Sequence, residues 1–133
     1  MMDRRAHLAG LLAMAAMVLT ARQLRAMEDV VAGKIVPQYG LIGQMNAKPG
    51  QRAALAAILQ EGTADMPGNL GYLVGEDMAN ADALWIVEFW TDKDAHAASL
   101  ALPQVRAAIT KARPIIAGFG TRAEFKPLFD ESE

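Results

Sequence analysis

Eight consecutive residues, Ala83-Leu84-Trp85-Ile86-Val87-Glu88-Phe89-Trp90, carry seven apolar side chains and one carboxylate. Aromatic and β-branched types favour a pleated strand, in which alternate side chains turn to opposite faces. Trp85, Val87 and Phe89 then share one face, and Leu84, Ile86, Glu88 and Trp90 the other. Both faces are largely apolar. Such a strand belongs inside a sheet that is covered on both sides.

The segments around it fall into a definite order. Tyr39 to Ala47 has strand length and ends at the turn signal Lys48-Pro49-Gly50. Gln51 to Gln60 carries Ala54, Leu55, Ile58 and Leu59 on one helical stripe. Pro67-Gly68-Asn69 stops that helix, and Leu70 to Gly75 alternates as a second strand. Asp77 to Asp82 is a hairpin-sized loop before the Ala83–Trp90 strand. Thr91-Asp92-Lys93-Asp94 reads as an N-cap opening a helix to about Ala101, and Pro103 restarts a helix with Val105, Ala108 and Ile109 inward, ending near Pro114. After Gly118 and Gly120, Thr121 to Lys126 is the last strand.

This β-α-β-β-α-β order predicts an α+β, ferredoxin-like sandwich spanning residues 39–127. Two βαβ units of one hand place both helices on the same side of the sheet. The other face stays bare and apolar. A homodimer closed through that open sheet face, a dimeric α+β barrel, is the expected remedy, with wrapping by the second helical region or by a leader as the alternative within one chain.

Ahead of this domain, Asp3-Arg4-Arg5 precedes an uncharged run of 16 residues from Ala6 to Ala21. That is short for a bilayer span and suits a secretory signal peptide over residues 1–26, with Arg4-Arg5 matching a twin-arginine signal in part. Arg22 and Arg25 beyond the run leave two alternatives open, an uncleaved anchor or a true start at Met27. Cleavage after Ala26 predicts a periplasmic or secreted protein without stable membrane insertion, and a start at Met27 a cytoplasmic one. Residues 27–38 then form a leader and residues 128–133 an acidic tail. The 107 residues from Met27 onward carry 9 basic and 14 acidic side chains, a net charge of −5 that disfavours nucleic acid as a partner.

The chain has no cysteine, which removes disulfides, thiolate metal sites and a Cys nucleophile. One histidine with no paired carboxylate motif makes no zinc or iron site, and no glycine-rich fingerprint joins a strand to a helix for a nucleotide or flavin. His96 is the histidine beyond the signal. Asp92, four residues before it on one helix face, is spaced to orient its imidazole and favour the charged form, although a surface histidine satisfies the same pattern. Glu88, among apolar neighbours, is either the partner of a lysine or arginine or a group in a pocket. Tyr72 suits an aromatic ligand or a packed core, Trp90 shares the Glu88 face, and Asn46 is a polar candidate near the end of strand one.

With these residues in place, Leu41 to about Pro127 resembles an antibiotic biosynthesis monooxygenase domain of the small quinol monooxygenase type. The resemblance rests on Lys48-Pro49-Gly50, Pro67-Gly68 before the strand with Tyr72, Trp85, the Glu88-Phe89-Trp90 strand end and Ala95-His96-Ala97-Ala98-Ser99-Leu100. It implies dimers of ferredoxin-like units and oxygenation of a quinol or phenolic ring by dioxygen as co-substrate, without metal, flavin or other cofactor. It also implies His96 as base or proton shuttle, Tyr72 as a hydrogen-bonding group, Trp90 as an apolar wall and Glu88 as orienting a polar partner. A haem-degrading branch of this fold places an asparagine on strand one and a histidine on the second helical region. Gly43 stands near the first position and residues 105–111 hold no histidine, which disfavours haem breakdown. A non-catalytic dimeric binding protein for small apolar or aromatic ligands is the competing class.

Overall fold

The computed structural model describes residues 20–128. Within them run α1 (Ala21–Val31), β1 (Tyr39–Ala47), α2 (Arg52–Gly62), β2 (Asn69–Glu76), β3 (Ala83–Trp90), α3 (Lys93–Ser99), α4 (Pro103–Ala112), a short 3-10 turn (Arg113–Ile115) and β4 (Ile116–Phe125). The strands form one antiparallel sheet in the order β2-β3-β1-β4. This is the expected α+β ferredoxin-like arrangement, with β3 and β1 at its centre.

Register explains which side chains meet. Tyr39 pairs with Trp90, Leu41 with Glu88 and Gly43 with Ile86 across β1 and β3, while Tyr72 of β2 stands opposite Glu88 on the other side. On this face Leu84, Ile86, Val74 and Ala47 pack with Leu55 of α2 and Ala112 of α4. A second cluster joins Tyr39, Leu41 and Trp90 to Met66 and Val105. Helices α2 and α4 approach so closely that a Cβ on Gly62 would fall on that of Ala108. Gly68, at φ +79°, turns the chain into β2 where a side chain would meet Ala95 and Thr91.

The loop between β2 and β3 is organised by one carboxylate. Asp77 accepts from the Trp85 indole at 2.8 Å, the Gln44 amide at 3.0 Å and the backbone N–H groups of Ala79 and Asn80 at 2.7 and 2.9 Å. These bonds hold it below the usual carboxylate range, the Ala79 N–H foremost. Arg52 of α2 clamps the same loop through the carbonyls of Asp77 and Asn80.

Two boundaries differ from expectation. Asp92, not Thr91, caps α3, because its carboxylate takes the Ala95 N–H at 2.7 Å. Strand β4 begins at Ile116 rather than Thr121, and runs through both Gly118 and Gly120. Pairing of Ala47 with Ile116 and Asn46 with Gly118 draws these poor strand formers into the sheet, with register shifts where the strand bends. Helix α1, begun by a Thr20–Gln23 capping box, runs from Ala21 to Val31. The uncharged run up to Leu19 and most of the acidic tail lie outside the described residues. Among the described residues no helix is long and apolar enough to cross a membrane.

The face of the sheet turned from α2 and α4 carries Ile42, Trp85, Val87 and Phe89, all half-buried, and Leu73, which is 50% exposed. Phe125 lies over Gly40 and meets Phe89 edge-on, ring centroids 6.0 Å apart. Helix α1 leans on the β2 edge near Leu70 and Gly71, with Met27, Val30 and Val31 turned toward Phe89 across a small apolar recess.

Candidate active site

A cleft of about 210 Å³ opens on the helix-bearing face where α2 and α4 leave β4 uncovered. Its walls are mainly apolar: Leu41, Met45, Ile86 and Phe119, with open space over Gly43 and the Gln44 side chain seated on Gly120. Tyr72 and Glu88, direct partners across β2 and β3, stand side by side in its lining. Gln44 and Arg122 complete the polar groups.

Glu88 has no ion pair among the described residues. Its one hydrogen bond there is to Oε1 from the Trp90 indole at 3.2 Å. Burial drives its carboxyl up to about 7, against the lowering effects of the Trp90 bond and the Arg122 charge. Of the two alternatives left by the sequence, the pocket group is the one observed. Burial also pushes the Tyr72 phenol well above the ordinary tyrosine range, and the adjacent Glu88 adds to it. Tyr72 is therefore a hydrogen-bond donor at any working pH. Its hydroxyl makes no hydrogen bond within the described residues.

His96 belongs to an aromatic group at one end of the cleft rather than to the cleft lining. Its ring lies 5.4 Å from the Tyr39 ring and 5.4 Å from that of Trp90, which it meets edge-on. The expected Asp92 contact is absent because that carboxylate caps the helix instead. The direction of the titration is reversed as well. Burial lowers the imidazole below its ordinary value, helped by Arg122 and Lys93 and opposed by Glu124. The neutral ring is thus the main form at neutral pH.

Trp90, fully buried, is a core residue that carries Glu88 on its indole rather than a free wall of the cleft. Asn46 does not join the group. It alternates with Met45 onto the opposite face of β1, and seven residues at roughly 3.3 Å each separate it from the Tyr39 end. Its Oδ1 is buried and finds no partner.

Four residues of the site were missed in the sequence. Tyr39 donates its hydroxyl to Glu124 Oε1 at 2.9 Å, and Arg122 reaches the same oxygen at 3.4 Å. Lys93 stands 3.7 Å from Glu124 Oε2. The two-residue spacing of Arg122 and Glu124, inside the expected Thr121–Lys126 strand, is the signal that puts both side chains on one face. Among the described residues no three His, Cys, Asp or Glu side chains converge as a metal site.

Residues 38–111 match the profile described as antibiotic biosynthesis monooxygenase. A Chloroflexus aurantiacus structure, named as a candidate antibiotic biosynthesis monooxygenase, is 48% identical over 71% of this chain and 97% of its own, with a TM-score of 0.68. SnoaB from Streptomyces nogalater, named as a cofactor-independent oxygenase, shares the fold at 17% identity over 73% of this chain and 99% of its own, TM-score 0.60. A Caulobacter crescentus structure, named as another candidate of this kind, aligns at 16% identity over 71% and 93% of the two chains, TM-score 0.63. No curated protein matches. With more than half of its length inside the profile and a relative nearly half identical, the chain belongs to the antibiotic biosynthesis monooxygenase family.

Proposed function

We propose that this protein is a monooxygenase that oxidises a phenolic or quinol ring with dioxygen and without a prosthetic group; the name of SnoaB records a cofactor-independent oxygenase. The observation that carries the reading is the cleft: apolar walls, room for one flat ring, and a phenol beside a carboxyl in its lining. In such a reaction the substrate is its own reductant. Loss of a phenolic proton leaves an electron-rich anion, which passes an electron to dioxygen. Recombination forms a C–O bond to a ring carbon; loss of that carbon's C–H proton then breaks the O–O bond, and the outer oxygen leaves as water with that proton and the phenolic one. The Tyr72 hydroxyl donates to the ring oxygen as negative charge grows there. The neutral imidazole of His96, behind Trp90, carries protons between this end of the cleft and solvent.

Tyr72→Phe is expected to lower kcat/KM by about 10²-fold, the usual loss for one donor aimed at developing charge. Stability should move by less than about 1 kcal/mol, since the hydroxyl gives up no bond within the described residues. Oxygen uptake with a reduced naphthoquinone, with the product followed by mass spectrometry, makes the test. Ligand-induced stabilisation with no oxygen consumed and no product would instead establish a binding protein.

We further propose that the working unit is a homodimer closed through the open sheet face. Support comes from Ile42, Val87 and the exposed Leu73, neighbours in register on that face. Sedimentation velocity should give twice the chain mass for wild type. Val87→Arg should shift the protein to monomer, and a monomeric wild type would remove this assignment.

A further inference from the structure

The oxygenation reading requires a group that takes the phenolic proton, and the side chains in the cleft lining narrow the choice. Tyr72 is held protonated and Arg122 is a permanent cation, so neither accepts a proton. His96 is half-buried between the Tyr39 and Trp90 rings and is not among the residues that line the cleft. Glu88 is the carboxylate in that lining. Its Oε1 is anchored by the Trp90 indole. Its Oε2 makes no hydrogen bond within the described residues and is not sealed in.

We propose that Glu88 is the general base of the reaction, with Trp90 as the residue that positions it. The inference rests on the monooxygenase reading and adds to it the atom that moves the proton. The substrate O–H bond breaks, its electron pair stays on the ring oxygen, and a new O–H bond forms on the Glu88 carboxylate. The carboxylic acid so formed returns that proton to the outer oxygen of the ring peroxide. The C–H bond of the same ring carbon then breaks, and its electron pair becomes the C=O bond as the O–O bond breaks. The proton released joins the outer oxygen, which leaves as water. A carboxylate matches a phenol in this role because burial raises it toward the pH at which it must cycle. From β2 Glu88 faces Tyr72, from β4 Arg122, from its own strand the Trp90 indole, and from β1 only the apolar chain of Leu41. His96 of α3 comes as near as the far side of Trp90.

The test is the pH profile of kcat/KM for oxygen uptake by the full chain, with 1,4-naphthoquinol as the probe. Wild type should show a rate that rises with pH through about 7, where Glu88 ionises. Glu88→Gln should lower the rate by about 10²- to 10⁴-fold and abolish that limb, and Glu88→Asp should restore part of both. Trp90→Phe removes a bond that favours the carboxylate, so its limb should move to higher pH. His96→Gln, which removes the proton carrier, should lower the rate but leave the limb where it is. A wild type that consumes no oxygen overturns the monooxygenase reading and this proposal with it. A wild type that turns over, beside a Glu88→Gln variant that keeps its rate and limb, overturns the proposal alone. So does a limb that disappears with His96→Gln instead.

Discussion

At pH 8 the Glu88→Gln variant is expected to be more stable than wild type by up to about 3 kcal/mol, and at pH 5 the difference should shrink to less than about 1 kcal/mol. In the unfolded chain Glu88 ionises near 4.5, while in the folded protein burial delays ionisation to about 7. Below 4.5 both states hold the proton, and its preference for the folded state contributes fully to stability. As pH rises from 4.5 to 7 the unfolded state has lost the proton and the folded state still binds it, so stability falls across that window. A shift of that size at about 1.4 kcal/mol per unit sets the magnitude. The glutamine amide cannot ionise, and its oxygen still accepts from the Trp90 indole. Urea unfolding at one protein concentration over pH 4.5 to 8 measures the difference. Parallel curves for the two proteins would mean that Glu88 titrates as a solvated carboxyl, against the burial described here.

Trp90→Ala should cost about 3–5 kcal/mol, the range for emptying a large aromatic site in a core. The indole is fully buried and packs with Tyr39, Leu41, Met66 and Val105. Losing it opens a cavity between the central strands and α4 that neighbouring side chains fill only in part. The same change frees Glu88 Oε1 and takes away the ring that His96 meets edge-on. Reduced stability in urea should therefore come with lost oxygen uptake at temperatures where the variant is still folded. Trp90→Phe separates the effects, since it keeps much of the packing and none of the N–H donor. A Trp90→Ala variant that unfolds at the wild-type urea midpoint would contradict the packing of this core.

How much of this was legible in the chain varies from element to element. The bounds of β1 and β3 could be read directly, because apolar β-branched and aromatic runs between turn residues specify a strand locally. The element order followed from the same punctuation, and with it the sheet order of a ferredoxin-like fold. Strand β4 was cut short because Gly118 and Gly120 have little strand preference of their own; they are held by β1, some seventy residues earlier, which no local window contains.

Site chemistry divides along the same line. That Glu88 sits on an apolar face is a statement about alternation, and it was visible. That it has no ion pair among the described residues, and stands between Leu41 and Tyr72 beside a cleft, depends on which strands flank β3. His96 was found from its surroundings in sequence, yet the spacing to Asp92 gave the wrong direction for its titration. A cap site at Ala95 claimed that carboxylate, and burial together with Arg122 set the sign.

The amino-acid order by itself determined the sequence of elements, the twofold apolar character of the central strand and the face that carries Glu88 and Trp90, since each is a property of near neighbours along the chain. Only the tertiary structure decided what surrounds those groups: which carboxylate meets the cleft, which imidazole stands behind it, and how far Asn46 lies from both. Protonation depends on solvent exclusion and on charges brought from distant strands, and those distances exist only once the sheet has formed.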